Sequence, residues 1–208
     1  MFDKYLMPLT HKPLRRVANL LVRYGVRADQ VTLVGFVIGM MGVLAISLEA
    51  YLWALFAILL NRVLDGVDGA VARLSGTTDA GGYLDIVLDF IFYSGVVLGF
   101  ALANPATNAL AASFLIFSFM GTGSSFLAFA IMAEKHGITT LEYGKKSLYF
   151  LGGITEGAET IAFFVVMCLL PQYFAYLAIG FGILCLITTV TRILAAYRTV
   201  SQAEQKSP

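Results

Sequence analysis

The chain has 208 residues, 59% of them hydrophobic and 13% charged, with a formal net charge of +1. That composition belongs to a membrane protein and excludes an ordinary soluble domain, and so balanced a charge gives no footing for nucleic acid. The two cysteines, Cys168 and Cys185, sit inside apolar stretches about 15 Å apart in expected depth, too far for a disulfide, and read as small core residues.

Residues 1–30 read as an amphipathic juxtamembrane helix, not a signal peptide. Leu14, Val17, Leu21 and Tyr24 repeat at helical spacing among Lys12, Arg15, Arg16 and Arg23. Residues 31–197 form an all-α transmembrane domain of six spans, at about 31–49, 51–73, 82–103, 108–132, 148–170 and 173–197, and 198–208 form a short tail. With the N-terminus inside, all 14 Lys and Arg fall in cytoplasmic segments or cytoplasmic halves of spans. The outer loops near Glu49, Asn104-Pro105 and Pro171-Gln172 carry none, so both termini are expected in the cytoplasm. Small-residue stripes on the first span (Gly35, Gly39, Gly42) and the fourth (Ser118, Gly121, Ser125, Ala128) read as helix-packing faces.

The chemistry concentrates between Asp65 and Asp89. The stretch reads Asp65-x2-Asp68-Gly69-x2-Ala72-Arg73, seven residues, Gly81-x3-Asp85-x3-Asp89. On a helix, Asp65, Asp68, Gly69 and Ala72 fall within an arc of about 100°. Asp85 and Asp89 share one face of the next helix. Two helices joined by a short polar turn then aim four carboxylates at one cavity. Intramembrane acids are costly, so they imply a function, and an all-oxygen donor set suits a hard divalent ion, Mg²⁺ or Mn²⁺. Glycines at such a site let a ligand approach the backbone.

This pattern resembles the signature of the CDP-alcohol phosphatidyltransferase family, with seven residues between Arg73 and Gly81 where eight are common. Beyond the motif, the likeness extends over nearly the whole chain, to hydropathy and length and to Thr32 at the start of the first span. It is nearest to a bacterial inner-membrane branch. The resemblance implies transfer of a phosphatidyl group from CDP-diacylglycerol to an alcohol, with release of CMP at the cytoplasmic face of the membrane. It implies two divalent ions held by Asp65, Asp68 and Asp85, with Asp89 as general base and further metal ligand. Gly69, Ala72, Arg73, Gly81 and Thr32 would face the CDP moiety, and a homodimer is expected.

Acceptor residues are less marked. Lys145, Lys146 and the deeper Arg192 are cations suited to an acceptor that itself carries a phosphate, such as glycerol 3-phosphate; positive-inside anchoring is the other reading of the lysines. Glu156 and Glu159 stand outside the motif. They are read as neutralising Arg62 and Arg192, with Glu159 pairing Arg62; the alternative is that they bind acceptor hydroxyls or an amine. Two other readings of the whole chain remain. One is a small cation transporter, disfavoured by acids clustered at one end and the lack of a repeat between halves. The other is a non-catalytic CDP-lipid-binding protein, disfavoured by four intact aspartates.

Overall fold

The computed structural model describes the backbone of residues 3–138 and 155–206 and the side chains of 13–138 and 155–205. Among the described residues there is no strand. Seven helices follow one another among these residues: α1 (Asp3–Arg23), α2 (Ala28–Ser47), α3 (Tyr51–Ser75), α4 (Asp79–Ala103), α5 (Pro105–Lys135), α6 (Gly157–Leu169) and, after a 3₁₀ turn at Pro171–Tyr173, α7 (Phe174–Lys206). The all-α expectation holds. α2, α4, α5 and the segment containing α7 are long and apolar enough to cross a bilayer. α3 is 25 residues long but carries Arg62, Asp65, Asp68 and Arg73. The part of the expected fifth span before residue 155 lies outside the described residues, and α6 is its described remainder.

The turns fall where polar and cap residues interrupt the apolar runs. Glu49 takes a positive φ of 58° between α2 and α3, at the first expected outer loop. Asn104 caps α5, accepting from the Thr107 N–H at 3.4 Å, with Pro105 opening the helix. Gly76, at φ 104°, ends α3, and Thr78 caps α4 by accepting from the Gly81 N–H at 3.1 Å. The shortened spacing between Arg73 and Gly81 is therefore absorbed in a three-residue turn between two intact helices.

Packing follows the small residues. A Cβ on Gly35 would lie 3.2 Å from Leu64 Cβ, and one on Gly42 would lie 3.0 Å from Ala57 Cβ, so α2 lies close against α3. A Cβ on Gly39 would come within 2.8 Å of the Phe92 ring, which brings in α4. The second stripe packs internally too: Ser118 is fully buried, and Gly121 faces Thr189 of α7. Around these contacts lies a core of buried phenylalanines, including Phe92, Phe100, Phe164, Phe174 and Phe181. Phe100 and Phe174 stack at 4.5 Å between centroids.

α1 packs against α3 through a face different from the expected one. Leu14, Ala18, Leu21 and Val22 meet Val67, Ala70 and Val71, whereas Val17 and Tyr24 point outward, 47% and 79% exposed. Leu14 and Leu21 were expected on the apolar face; the small Ala18 and the weakly patterned Val22 complete it because α1 has to fit a close neighbour. Leu14 lies over Gly66, where a Cβ would be 2.9 Å from its Cδ1. Trp53 is exposed in the first turn of α3, Tyr83 early in α4, and Tyr176 and Tyr197 towards the two ends of α7.

Candidate active site

Three helices build the site. α3 presents Asp65 and Asp68 one turn apart, α4 presents Asp85 and Asp89 one turn apart, and α2 adds Thr32 one turn from its start. One carboxylate oxygen each from Asp65, Asp68 and Asp85 lies within 4.8 Å of the others. Such a separation places three hard oxygen ligands around the space one divalent ion needs, and no sulfur or imidazole intrudes, so the donor set fits Mg²⁺ or Mn²⁺. Thr32 Oγ1 donates to Asp68 Oδ2 at 2.7 Å, with the Ala28 carbonyl at 3.1 Å. Thr32 is thereby tied to the aspartate cluster.

Asp89 is turned to a different partner. Its Oδ1 accepts from Arg62 Nη2 at 2.7 Å, and its Oδ2 accepts from the Tyr93 hydroxyl at 3.2 Å. Arg62 also reaches Asp65 Oδ1 at 3.1 Å, Tyr93 Oη at 2.9 Å and Asn61 Oδ1 at 3.3 Å. Asn61 is itself fixed by donating to the Gly35 carbonyl at 3.0 Å. Arg62 therefore bridges the carboxylates of α3 and α4, and the expected pairing of Arg62 with Glu159 is corrected. The physical reason is register: Asp65 at i+3 and Asp89 across a tightly packed helix pair are within reach of one guanidinium. Half-exposed or less, these groups are costly unless paired, and here each finds a partner.

Above the cluster opens a cleft of about 370 Å³, within the range of small-ligand sites. Gly69, Ala72 and Gly81 line it together with Thr32, Asp68 and Asp85. Gly69, Ala72, Gly81 and Thr32 thus share one cleft. Gly81 is tight as well, since a Cβ there would lie 2.9 Å from Asp29 Oδ1. Arg73 is exposed, and its Nη1 would lie 3.3 Å from a Cβ placed on Gly69. The first turns of α2 and α4 bound the same cleft with Arg27 and Asp29, so two positive helix ends, one cation and one acid border it.

Arg192 lies apart from this cluster, lining a second cavity with Glu156 and Tyr93. Lys145 and Lys146 lie outside the described residues. The sequence reading had not singled out Asn61, Tyr93, Arg27 or Asp29. Tyr93 had a signal, because Asp85, Asp89 and Tyr93 repeat every four residues along one helical face. Asn61 had none, since its role depends on the Gly35 carbonyl of another helix.

The sequence pattern of the CDP-alcohol phosphatidyltransferase family matches residues 26–195. The chain is 50% identical over 206 residues to the inner membrane protein YnjF of Escherichia coli K12, covering 99% of this chain and 100% of that one. It is 26% identical over 198 residues to the archaetidylinositol phosphate synthase of Pyrococcus horikoshii, covering 95% and 96% of the two chains. Its fold is similar to the crystal structure of Mycobacterium tuberculosis phosphatidylinositol phosphate synthase with CDP-DAG bound. The TM-score is 0.65 at 19% identity, over 88% of this chain and 93% of the other. A further structure of that synthase, in complex with manganese and citrate, matches with a TM-score of 0.64 at 18% identity, over 88% of each chain.

Proposed function

Because the chain belongs to the CDP-alcohol phosphatidyltransferase family, whose members move a phosphatidyl group from a CDP-lipid to an alcohol, we propose that the Asp65–Asp89 site carries out that transfer from CDP-diacylglycerol and releases CMP. The observation that carries the reading is the convergence of Asp65, Asp68 and Asp85, of which Asp68 and Asp85 line one cleft with Gly69, Ala72 and Gly81. Bulky side chains there would block a nucleotide. The helix starts at the cleft, with Arg27 and Arg73, favour its pyrophosphate.

Two divalent ions, Mg²⁺ or Mn²⁺, bound by Asp65, Asp68 and Asp85 with Asp89 as a further ligand, would neutralise the pyrophosphate and stabilise CMP as it leaves. The protein's own groups do the rest. Thr32 holds Asp68 in orientation through their 2.7 Å hydrogen bond. Arg62 and Tyr93 hold the Asp89 carboxyl in orientation through their hydrogen bonds to it. Asp89 takes the proton of the acceptor hydroxyl as its oxygen bonds to the lipid-side phosphorus and the bond to CMP breaks.

The same reading sets six spans over residues 31–197, with the interfacial helix of 1–30 and the tail of 198–208 both cytoplasmic, in a bacterial inner membrane. Its support is the absence of Lys and Arg from the three expected outer loops. A homodimer is part of the proposal, its contacts on faces other than the buried part of the α5 stripe.

The deciding experiment is CMP release by purified protein given CDP-diacylglycerol, Mg²⁺ or Mn²⁺, and a panel of alcohols. Acceptor-dependent CMP that disappears in Asp85→Asn supports the transferase. Folded protein that does not bind CDP-diacylglycerol at all would overturn it.

A further inference from the structure

Asn61 is a buried amide that follows an apolar run in α3. It comes directly after Leu59 and Leu60, is only 5% exposed, and reaches across to α2. Such a group is costly in the interior unless both of its ends are bonded. Here both are. Its Nδ2 donates to the Gly35 carbonyl at 3.0 Å, and its Oδ1 accepts from Arg62 Nε at 3.3 Å. A helix carbonyl gives one lone pair to the N–H four residues on and keeps a second, which Gly35 offers to Asn61. Gly39 leaves the space for this approach, since a Cβ on it would lie 3.1 Å from Asn61 Nδ2.

The anchored amide has a direction. Its nitrogen faces the backbone of α2, so its oxygen faces Arg62, whose guanidinium is a rigid planar fork. Fixing Nε fixes where the other two nitrogens point. Nη2 meets Asp89 Oδ1 at 2.7 Å and Asp65 Oδ1 at 3.1 Å. Nη1 donates to the Tyr93 hydroxyl at 2.9 Å, which in turn donates to Asp89 Oδ2 at 3.2 Å. Arg62, Tyr93 and Asp89 thus close a ring of three contacts, and Asn61 ties that ring to α2. Asn61 itself is not among the residues lining the cleft of Gly69, Ala72 and Gly81.

Resting on the transferase reading above, we propose that Asn61 is a positioning residue for the reaction: through Arg62 it fixes which side of the Asp89 carboxyl meets the acceptor hydroxyl. It serves the proton transfer and leaves donor binding to the cleft. The glycines Gly35 and Gly39 therefore do more than let helices pack, because they admit this amide to the backbone.

The test uses purified full-length protein with CDP-diacylglycerol and saturating Mn²⁺. The acceptor is whichever of glycerol, glycerol 3-phosphate, inositol phosphate and serine gives the wild type its fastest CMP release. Asn61→Leu keeps much of the side-chain volume and removes both hydrogen bonds. Its kcat is expected to fall about tenfold while the KM for CDP-diacylglycerol changes by less than about twofold. Tyr93→Phe opens the same ring elsewhere. Combined with Asn61→Leu, it is expected to cost less than the product of the two separate losses, because both act through Asp89. If Asn61→Leu does not fold, Asn61→Ala takes its place with the same expectations. An unchanged kcat beside a lowered unfolding temperature makes Asn61 a packing residue and overturns the inference. So does a raised KM for CDP-diacylglycerol at unchanged kcat, and so do losses that multiply in the double variant. Each of these leaves the transferase intact. No acceptor-dependent CMP from the wild type overturns both.

Discussion

Arg62 is the residue on which the two acidic helices depend. It touches Asp65, Asp89 and Tyr93 at 3.1 Å or less and is only 18% exposed in its side chain. Removing one partner of a buried ion pair strands the rest, at a cost of about 3–5 kcal/mol. Arg62→Met should therefore lower the unfolding temperature in detergent markedly, and Arg62→Lys should recover only part of the loss because one ammonium cannot serve the carboxylates and the phenol together. A thermal denaturation series of the three proteins checks this. Thr32 acts at the same scale but on chemistry. Thr32→Val keeps the volume and removes the hydrogen bond to Asp68; the expected effect is a drop in CMP release of about tenfold, with unfolding temperature nearly unchanged. A loss of stability without loss of turnover would instead make Thr32 a packing residue.

Between helices, glycine decides how near the backbones come. Gly39→Leu should be destabilising by roughly 1–3 kcal/mol, since even its Cβ would lie 2.8 Å from Phe92 and α2 would have to move off α4. Loss of fold is read from size-exclusion profiles in detergent. Gly66 gives a different outcome, because its neighbour Leu14 belongs to α1. Gly66→Val should free α1 from α3, seen as new protease cleavage near residues 13–25, while the rest of the bundle stays resistant. How much of this was legible in the sequence follows from the kind of signal. The motif spacing prescribed which face of α3 carries Asp65, Asp68, Gly69 and Ala72, because one helix of ideal pitch fixes that arc. It was silent on the α1 face, where Ala18 and Val22 replace Val17 and Tyr24, since an interfacial stripe and a helix-packing stripe look alike until the neighbour is known. The Arg62 partner was misread for the same reason: candidate acids existed on both sides, and only the packing of α3 on α4 selects Asp89.

Over the whole molecule, two hollows flank α4. One presents carboxylates to a cleft bordered by positive helix starts, and the other is lined in part by Tyr93 and Arg192. The sequence set Glu156 and Glu159 against Arg62 and Arg192 as neutralising charges, and the structure places Glu156 and Arg192 in the lining of one cavity. The outer surface carries a different kind of information. Tyr176 and Tyr197 on α7 are 77% and 74% exposed and 21 residues apart in sequence, a rise of about 31 Å. That nearly equals the hydrocarbon thickness of an ordinary bilayer, about 30 Å, and amphipathic rings prefer its two boundaries. α7 is thus a ruler. In vesicles of monounsaturated phosphatidylcholine with 14, 18 or 22 carbons per chain, CMP release should peak at 18 and fall on both sides, as tilt or local deformation disturbs the helix that carries Arg192. A flat response would mean that the tyrosines do not set its depth. If the peak is found, turnover of this protein reports the thickness of the membrane in which it is embedded.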